Sequence, residues 1–226
     1  MKISKRTLVI TSLVTLIPVL VGICLWDQLP DVMATHFGMS NEPNGWTSKG
    51  FTVFGIPSVL VLLQLVAIYT TSKDPRKVFH NNTLMNIVVW IIPVIAVVVL
   101  GITYMYNMEV PVDVGMVCLS VLGVLFMILG NYLPKCRRNY FVGIRLPWTL
   151  RDDANWNYTH RIGGFVFVIM GLIFVVNAFI LPKTISFVAM IVGVLVPTVA
   201  SFMYLYYTFD YVVRSCSSAN HLCASK

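Results

Sequence analysis

Apolar residues run through this chain in six long blocks separated by polar connections. The blocks are 7–25, 51–71, 84–106, 114–133, 162–182 and 184–209, and none contains Asp, Glu, Lys or Arg. A helix needs about 20 apolar residues to cross the hydrocarbon of a bilayer. Blocks of this length read as helices rather than barrel strands. The pattern therefore predicts an all-α, polytopic membrane protein with six transmembrane helices, a single membrane domain over 1–226. The first block follows Lys2, Lys5 and Arg6, as a secretory signal would. It is too long for the usual signal core and lacks a small-residue cleavage site, so it reads as an uncleaved first span.

Composition agrees. Of 226 residues, 58% are hydrophobic and 11% charged, whereas soluble domains are about 45–50% apolar and about 25% charged. That balance excludes a cytosolic enzyme, a disordered chain and a secreted disulfide scaffold. The net charge of +7 is unevenly placed. Six spans put both termini on one side, and every Lys and Arg except Lys49 and Lys183 falls on that side. The positive-inside bias makes it the cytoplasm. It also accounts for the basic charge without direct nucleic-acid binding. The five cysteines suggest no disulfide framework, because none falls on the outer side. Cys216, His221 and Cys223 match no standard zinc spacing and read as free thiols in a tail.

Inside the blocks, Pro18, Pro57, Pro93 and Pro197 each remove a backbone donor and can kink a helix. Ser186, Ala189, Gly193, Pro197 and Ala200 form a small-residue stripe on the last span, suited to close packing within the chain or in a homodimer. Amides within the spans include Gln64, Asn86 and Asn177. The lack of charge at bilayer depth argues against an ion-coupled pump. A small-molecule or lipid transporter of flippase type stays open, and it requires these amides to converge in a cavity.

Two polar connections carry the candidate chemistry. The first, 26–50, is assigned to the outside. Asn44-Gly45 is a tight-turn signal, and Trp26, Phe37, Trp46 and Phe51 suit the headgroup level. His36, with Asp27, Asp31 and Glu42 nearby, has the makings of a pH sensor or metal ligand. Without a spaced second nitrogen or thiol the plainer reading is a hydrogen bond within the loop, and no metal or cofactor is expected. Lys49 either meets lipid phosphate or anchors the next span.

The second connection, 134–161, is assigned to the cytoplasm. Gly143 permits an unusual backbone angle, and Pro147 keeps Leu146 out of helix. Thr149-x-x-Asp152 looks like a helix start, with Thr149 as the cap. Asp152, Trp156 and His160 then share one helix face, within reach of Arg145. Trp148, Trp156 and Tyr158 suit the interface. The segment reads as a docking surface for a cytoplasmic protein, a site for anionic lipid headgroups, a catalytic Asp–His pair, or a plain surface helix. No nucleophile or metal motif accompanies the pair, so an enzyme is not expected.

The segments LPDVMATHF and EPNGWTSKG resemble the external motif of the SdpI family of bacterial membrane proteins. The stretch 130–164, GNYLPKCRRNYFVGIRLPWTLRDDANWNYTHRIGG, closely resembles that family's longer motif. With the six spans, the likeness extends over nearly the whole chain. It implies a multi-pass protein of the bacterial plasma membrane that gives immunity to a membrane-active toxic peptide. It also implies signalling, through capture of a small winged-helix repressor at the membrane. Carried over by motif, toxin or ligand contacts fall on Pro30, His36, Phe37, Gly45, Trp46 and Lys49, with Pro43 in the same motif. Partner contacts fall on Asn131, Arg137, Asn139, Gly143, Arg145, Pro147, Trp148, Trp156 and His160. The family motif further matches Pro134, Thr149 and Gly164. Ala34, Gly38, Asn41, Asn44 and Leu146 depart from the family pattern.

Overall fold

A computed structural model describes residues 4–38, 41–72, 82–140, 142–180 and 183–224, with side chains over 4–38, 41–71, 86–140, 142–180 and 185–209. Helix α1 covers Lys5–Cys24, and a hairpin of β1 (Val32–Phe37) and β2 (Pro43–Ser48) follows. One π-helical turn, Phe51–Gly55, leads into α2 (Ile56–Ser72). Then come α3 (Asn82–Asn107), α4 (Val114–Tyr132), a 3-10 turn at Leu133–Lys135, α5 (Asp153–Phe179) and α6 (Lys183–Ala224). Among the described residues, six helices are long and apolar enough to cross a membrane. The chain divides into two compact units, Met1–Leu122 with Val175–Lys183, and Gly123–Phe174 with Thr184–Lys226.

In the first unit, α1 buries Thr11, Thr15, Pro18 and Gly22 along one face. Val9, Ile10, Leu13, Ile17 and Leu20 are exposed. This inverts the soluble pattern. Lipid is as apolar as leucine, so helices meet through small and hydrogen-bonding residues while bulky ones face the solvent hydrocarbon. Thr15 donates its hydroxyl to Gln64 Oε1 at 2.8 Å, joining α1 to α2.

The all-helical expectation needs one correction, since 26–50 holds an antiparallel hairpin. Asn44-Gly45 is not its turn. Both residues lie within β2, and ahead of them Gly38 N–H donates to Glu42 O and Asn41 takes φ +68°. The glycine serves a close approach instead: a Cβ on Gly45 would stand 2.9 Å from His36 Cβ, its register partner.

In the second unit, α4 and α5 cross closely at two glycine pairs. A Cβ on Gly130 would meet Gly164 O at 2.6 Å, and one on Gly171 would meet Gly123 O at 2.4 Å. Both pairs are spaced by seven residues along their helices, so one seam of two turns keeps backbone against backbone. The predicted surface helix and fifth span are one continuous helix. Gly163 and Gly164 do not break it, because glycine inside a membrane helix gains from close packing what it loses in propensity.

Candidate functional site

The hairpin sits on a core of Leu29, Met33, Val53, Leu100 and Tyr104, flanked by Leu25, Ile56 and Met108. Asn107, the last residue of α3, fixes it there. Its Oδ1 accepts from Ala34 N–H at 2.8 Å, and its Nδ2 donates to Ala34 O at 2.9 Å. A side-chain amide thus completes one rung that a third strand would supply. Tyr104 donates its hydroxyl to Pro18 O at 3.1 Å from the same helix.

The predicted contacts of the hairpin segment do not form one cluster. Pro30 and His36 are exposed, and Phe37 packs edge-on against Tyr106, with ring centroids 4.7 Å apart. The His36 ring pairs through Nδ1 with Asn44 Oδ1, across the hairpin. Lys49 is tied to the hairpin base. It pairs with Asp31 at 3.2 Å, donates to Trp26 O at 3.2 Å and lies over the Trp26 ring. Trp46 stands free, at 58% exposure.

The 134–161 segment is organised around two buried side chains. Asn139 donates through Nδ2 to Val142 O (2.8 Å) and Arg137 O (2.9 Å), while its Oδ1 accepts from Val142 N–H. That one amide closes the turn after α4. Trp156 donates through Nε1 to Cys136 O at 2.8 Å, and the His160 ring stacks on the indole with centroids 3.9 Å apart. His160 Nε2 accepts from Ile144 N–H at 3.0 Å, which requires a lone pair there. The proton therefore sits on Nδ1 and is donated to Trp156 O at 2.8 Å. The ring is neutral in this arrangement. Burial pushes the Cys136 thiol up to about 11, partly offset by the Asn139 amide bonded to its sulfur.

Gly143 has φ +117°, and a Cβ there would lie 2.3 Å from His160 Nε2. Only glycine meets both demands. Thr149 is not the helix cap. Its Oγ accepts from Leu146 N–H and lies 3.0 Å from Ile144 O, holding the turn that contains Pro147. Asp152 caps α5 instead, accepting from Ala154 N–H and Asn155 N–H at 3.0 Å each. A carboxylate so placed serves two orphan donors and the helix dipole together.

The Asp152–His160 pair that a catalytic reading requires is not formed, since Asp152 turns back onto its own helix while His160 is committed to two backbone groups. Nor, among the described residues, does Arg145 reach a carboxylate. It is exposed and donates to Tyr140 O, while Arg138 pairs with Asp153 and also reaches Leu150 O. Trp156 is fully buried rather than interfacial. Trp148 packs edge-on near Phe202, and Tyr158 lies tilted against Tyr204.

A second buried network was not visible in the motif. Trp148 Nε1 donates to Ser201 Oγ at 2.6 Å, Ser201 Oγ to Asn155 Oδ1 at 3.1 Å, and Thr159 Oγ to the same Oδ1 at 3.0 Å. Its sequence signal is Asn155 and Thr159 four apart on α5, opposite Ser201 four past Pro197. The small-residue stripe of α6 is used here, within the chain. A Cβ on Gly193 would meet Met170 Sδ at 2.3 Å, and Pro197 lies beside Gly163. Of the predicted partner contacts, Asn131, Arg137, Arg145 and Pro147 are exposed, whereas Asn139, Trp156 and His160 are internal supports.

The span amides do not share a buried site: Gln64 is buried against Thr15, and Asn86 is exposed. Asn177 is buried. Among the described residues no group of three or more His, Cys, Asp or Glu could hold a metal ion. Cys216, His221 and Cys223 lie outside the described side chains, and Lys73, Arg76 and Lys77 outside the described residues.

Residues 135–205 match the model of the SdpI/YfhL protein family. Residues 13–61 match a domain of unknown function, DUF1648. The chain is 26% identical over 203 residues to "Immunity protein SdpI" of Bacillus subtilis (strain 168), covering 87% of this chain and 94% of that protein. No solved structure matches.

Proposed function

Because this chain is a multi-pass SdpI-family protein of the bacterial plasma membrane, we propose that it gives its host immunity to a membrane-active toxic peptide. The observation that carries this reading is the extent of the similarity to an immunity protein, 87% of the chain, which takes in both structured connections. In this reading both termini and the 134–161 segment are cytoplasmic, supported by the cation bias, and the hairpin faces outward. The chain is one membrane domain with a sensing loop outside and a docking loop inside.

The hairpin offers Trp46 as the exposed aromatic contact, with Pro30 and His36 also at its surface. Gly45, Phe37 and Lys49 hold its shape. On the other face Asn131, Arg137, Arg145 and Pro147 form the surface offered to a cytoplasmic protein, a small winged-helix repressor. Asn139, Gly143, Trp148, Trp156 and His160 fix that surface from beneath. No catalytic step is assigned, in keeping with the engagement of Asp152 and His160 elsewhere.

Expression in a peptide-sensitive bacterium tests the reading. Cells carrying the wild-type chain should survive toxic-peptide challenge. Trp46→Ala should weaken protection, and Arg145→Ala should leave protection intact while weakening repressor recruitment to the membrane. Equal killing with and without the wild-type chain, across candidate peptides, would overturn it.

A further inference from the structure

The two edges of the hairpin differ. Lys49 N–H donates to Asp31 O, and the register pairs Val32 with Ser48, Met33 with Thr47 and Ala34 with Trp46. Hydrogen-bonded and non-hydrogen-bonded pairs alternate in an antiparallel ladder. Asp31–Lys49 and Met33–Thr47 are therefore the bonded pairs, and Ala34 and Trp46 turn their backbone groups away from each other. For Ala34 those groups meet Asn107. For Trp46 they point off the opposite edge, where no hydrogen bond among the described residues takes them. The next outward carbonyl, that of Ser48, accepts from Thr52 Oγ, which closes the base of the edge. The open rung of this edge is thus Trp46, beyond which the register shifts between Ala34 and His36 and again between His36 and Phe37; the exposed side chains of Asn44 and Trp46 alternate with the less exposed Gly45 along β2.

The surroundings are acidic. The segments 26–50 and 108–113 hold Asp27, Asp31, Glu42, Glu109 and Asp113 against a single lysine, Lys49. That lysine is spent on Asp31. Gly115 N–H donates to Asn41 Oδ1 at 2.8 Å, which ties the start of α4, just after the 108–113 connection, to the hairpin tip. All five carboxylates lie in exposed residues.

We propose that the free edge of β2 binds a cationic peptide segment as an added strand, with Trp46 supplying both the backbone rung and the aromatic contact. Strand addition draws affinity from main-chain bonds and selectivity from alternate side chains. The surrounding carboxylates select lysine- or arginine-bearing partners and speed their encounter. The identity of that peptide as the toxin rests on the immunity reading; the edge itself does not.

The test uses the full chain in discs of zwitterionic lipid and a fluorescent alternating Lys–Val peptide as probe. Binding is read by anisotropy, and its place by amide exchange at Trp46. Trp46→Pro removes an outward N–H and spares the ladder, as edge prolines do. It should abolish binding, while Trp46→Phe retains it. Glu42→Gln with Glu109→Gln should weaken binding about tenfold and flatten its salt dependence. A Glu–Val peptide, or a Lys–Val peptide N-methylated at alternate residues, should fail to bind. Equal binding by the methylated peptide, or unchanged binding by Trp46→Pro, overturns the proposal. If wild-type cells are protected but Trp46→Pro protects equally well, the edge is wrong and immunity stands. If the probe binds as described and no protection is seen, the edge stands and immunity falls.

Discussion

The His160 ring lies on the Trp156 indole at 3.9 Å between centroids and 21° between planes, one helical turn along α5. Each ring also anchors backbone from the preceding loop, Trp156 at Cys136 O and His160 at Ile144 N–H. Two neighbouring side chains thus hold both ends of the 136–144 stretch.

Replacing His160 by Ala should cost ~1–3 kcal/mol, because the Ile144 N–H loses its acceptor in a buried setting. Gly143→Ala should cost ~2–3 kcal/mol through its positive φ and its collision with the same ring. The double variant should cost less than the sum, since removing the ring removes the collision. Thermal unfolding in detergent reads all three.

Gly164→Ala should destabilise the chain by ~1–3 kcal/mol, because its methyl would meet the Gly130 carbonyl. Leu172→Ala on the same helix, at an exposed position, should fall within about 0.5 kcal/mol of wild type. Unfolding midpoints of the two variants compare them directly.

Asn107→Leu should free the hairpin from α3. It leaves the buried Ala34 N–H and C=O unpaired, at ~1–3 kcal/mol for each group. Faster amide exchange at Ala34 and protease nicking between Asp31 and Ser48 are the expected readouts, with α5 and α6 unaffected.

Cys136 should resist alkylation. With its thiol held at about 11, only ~0.1% is thiolate at pH 8. In a variant keeping this cysteine alone, maleimide should label the unfolded chain and spare the folded one until the pH passes about 10.

Sidedness follows from single cysteines in a background cleared of the native ones. Trp46→Cys should be labelled by an impermeant reagent on intact cells. Arg145→Cys should be labelled only after the membrane is opened. Labelling of Arg145→Cys on intact cells would reverse the proposed orientation.

The six spans were legible because hydrocarbon thickness imposes a length and excludes charge, and both marks are local in sequence. The hairpin was not. Its turn lacks a standard signal, and Asn44-Gly45, which carries one, is used for the approach of Gly45 to His36. The start of α5 was misplaced by one turn, because Thr149 and Asp152 are both competent caps. Only the fold shows that Thr149 is taken up by Leu146 and Ile144. The motif residues of 134–161 were found, but not which of them face outward. Burial depends on where α5 and α6 lie, and the Asn155–Ser201 link spans 46 positions.

The loop after α4 owes its form to side chains it does not contain. Trp156 and His160 belong to the following helix, and Ser201 to the last one. A synthetic peptide copying the loop alone would be bait without a shape. Any cytoplasmic binder sought with it would have to be sought again with the intact protein in a bilayer.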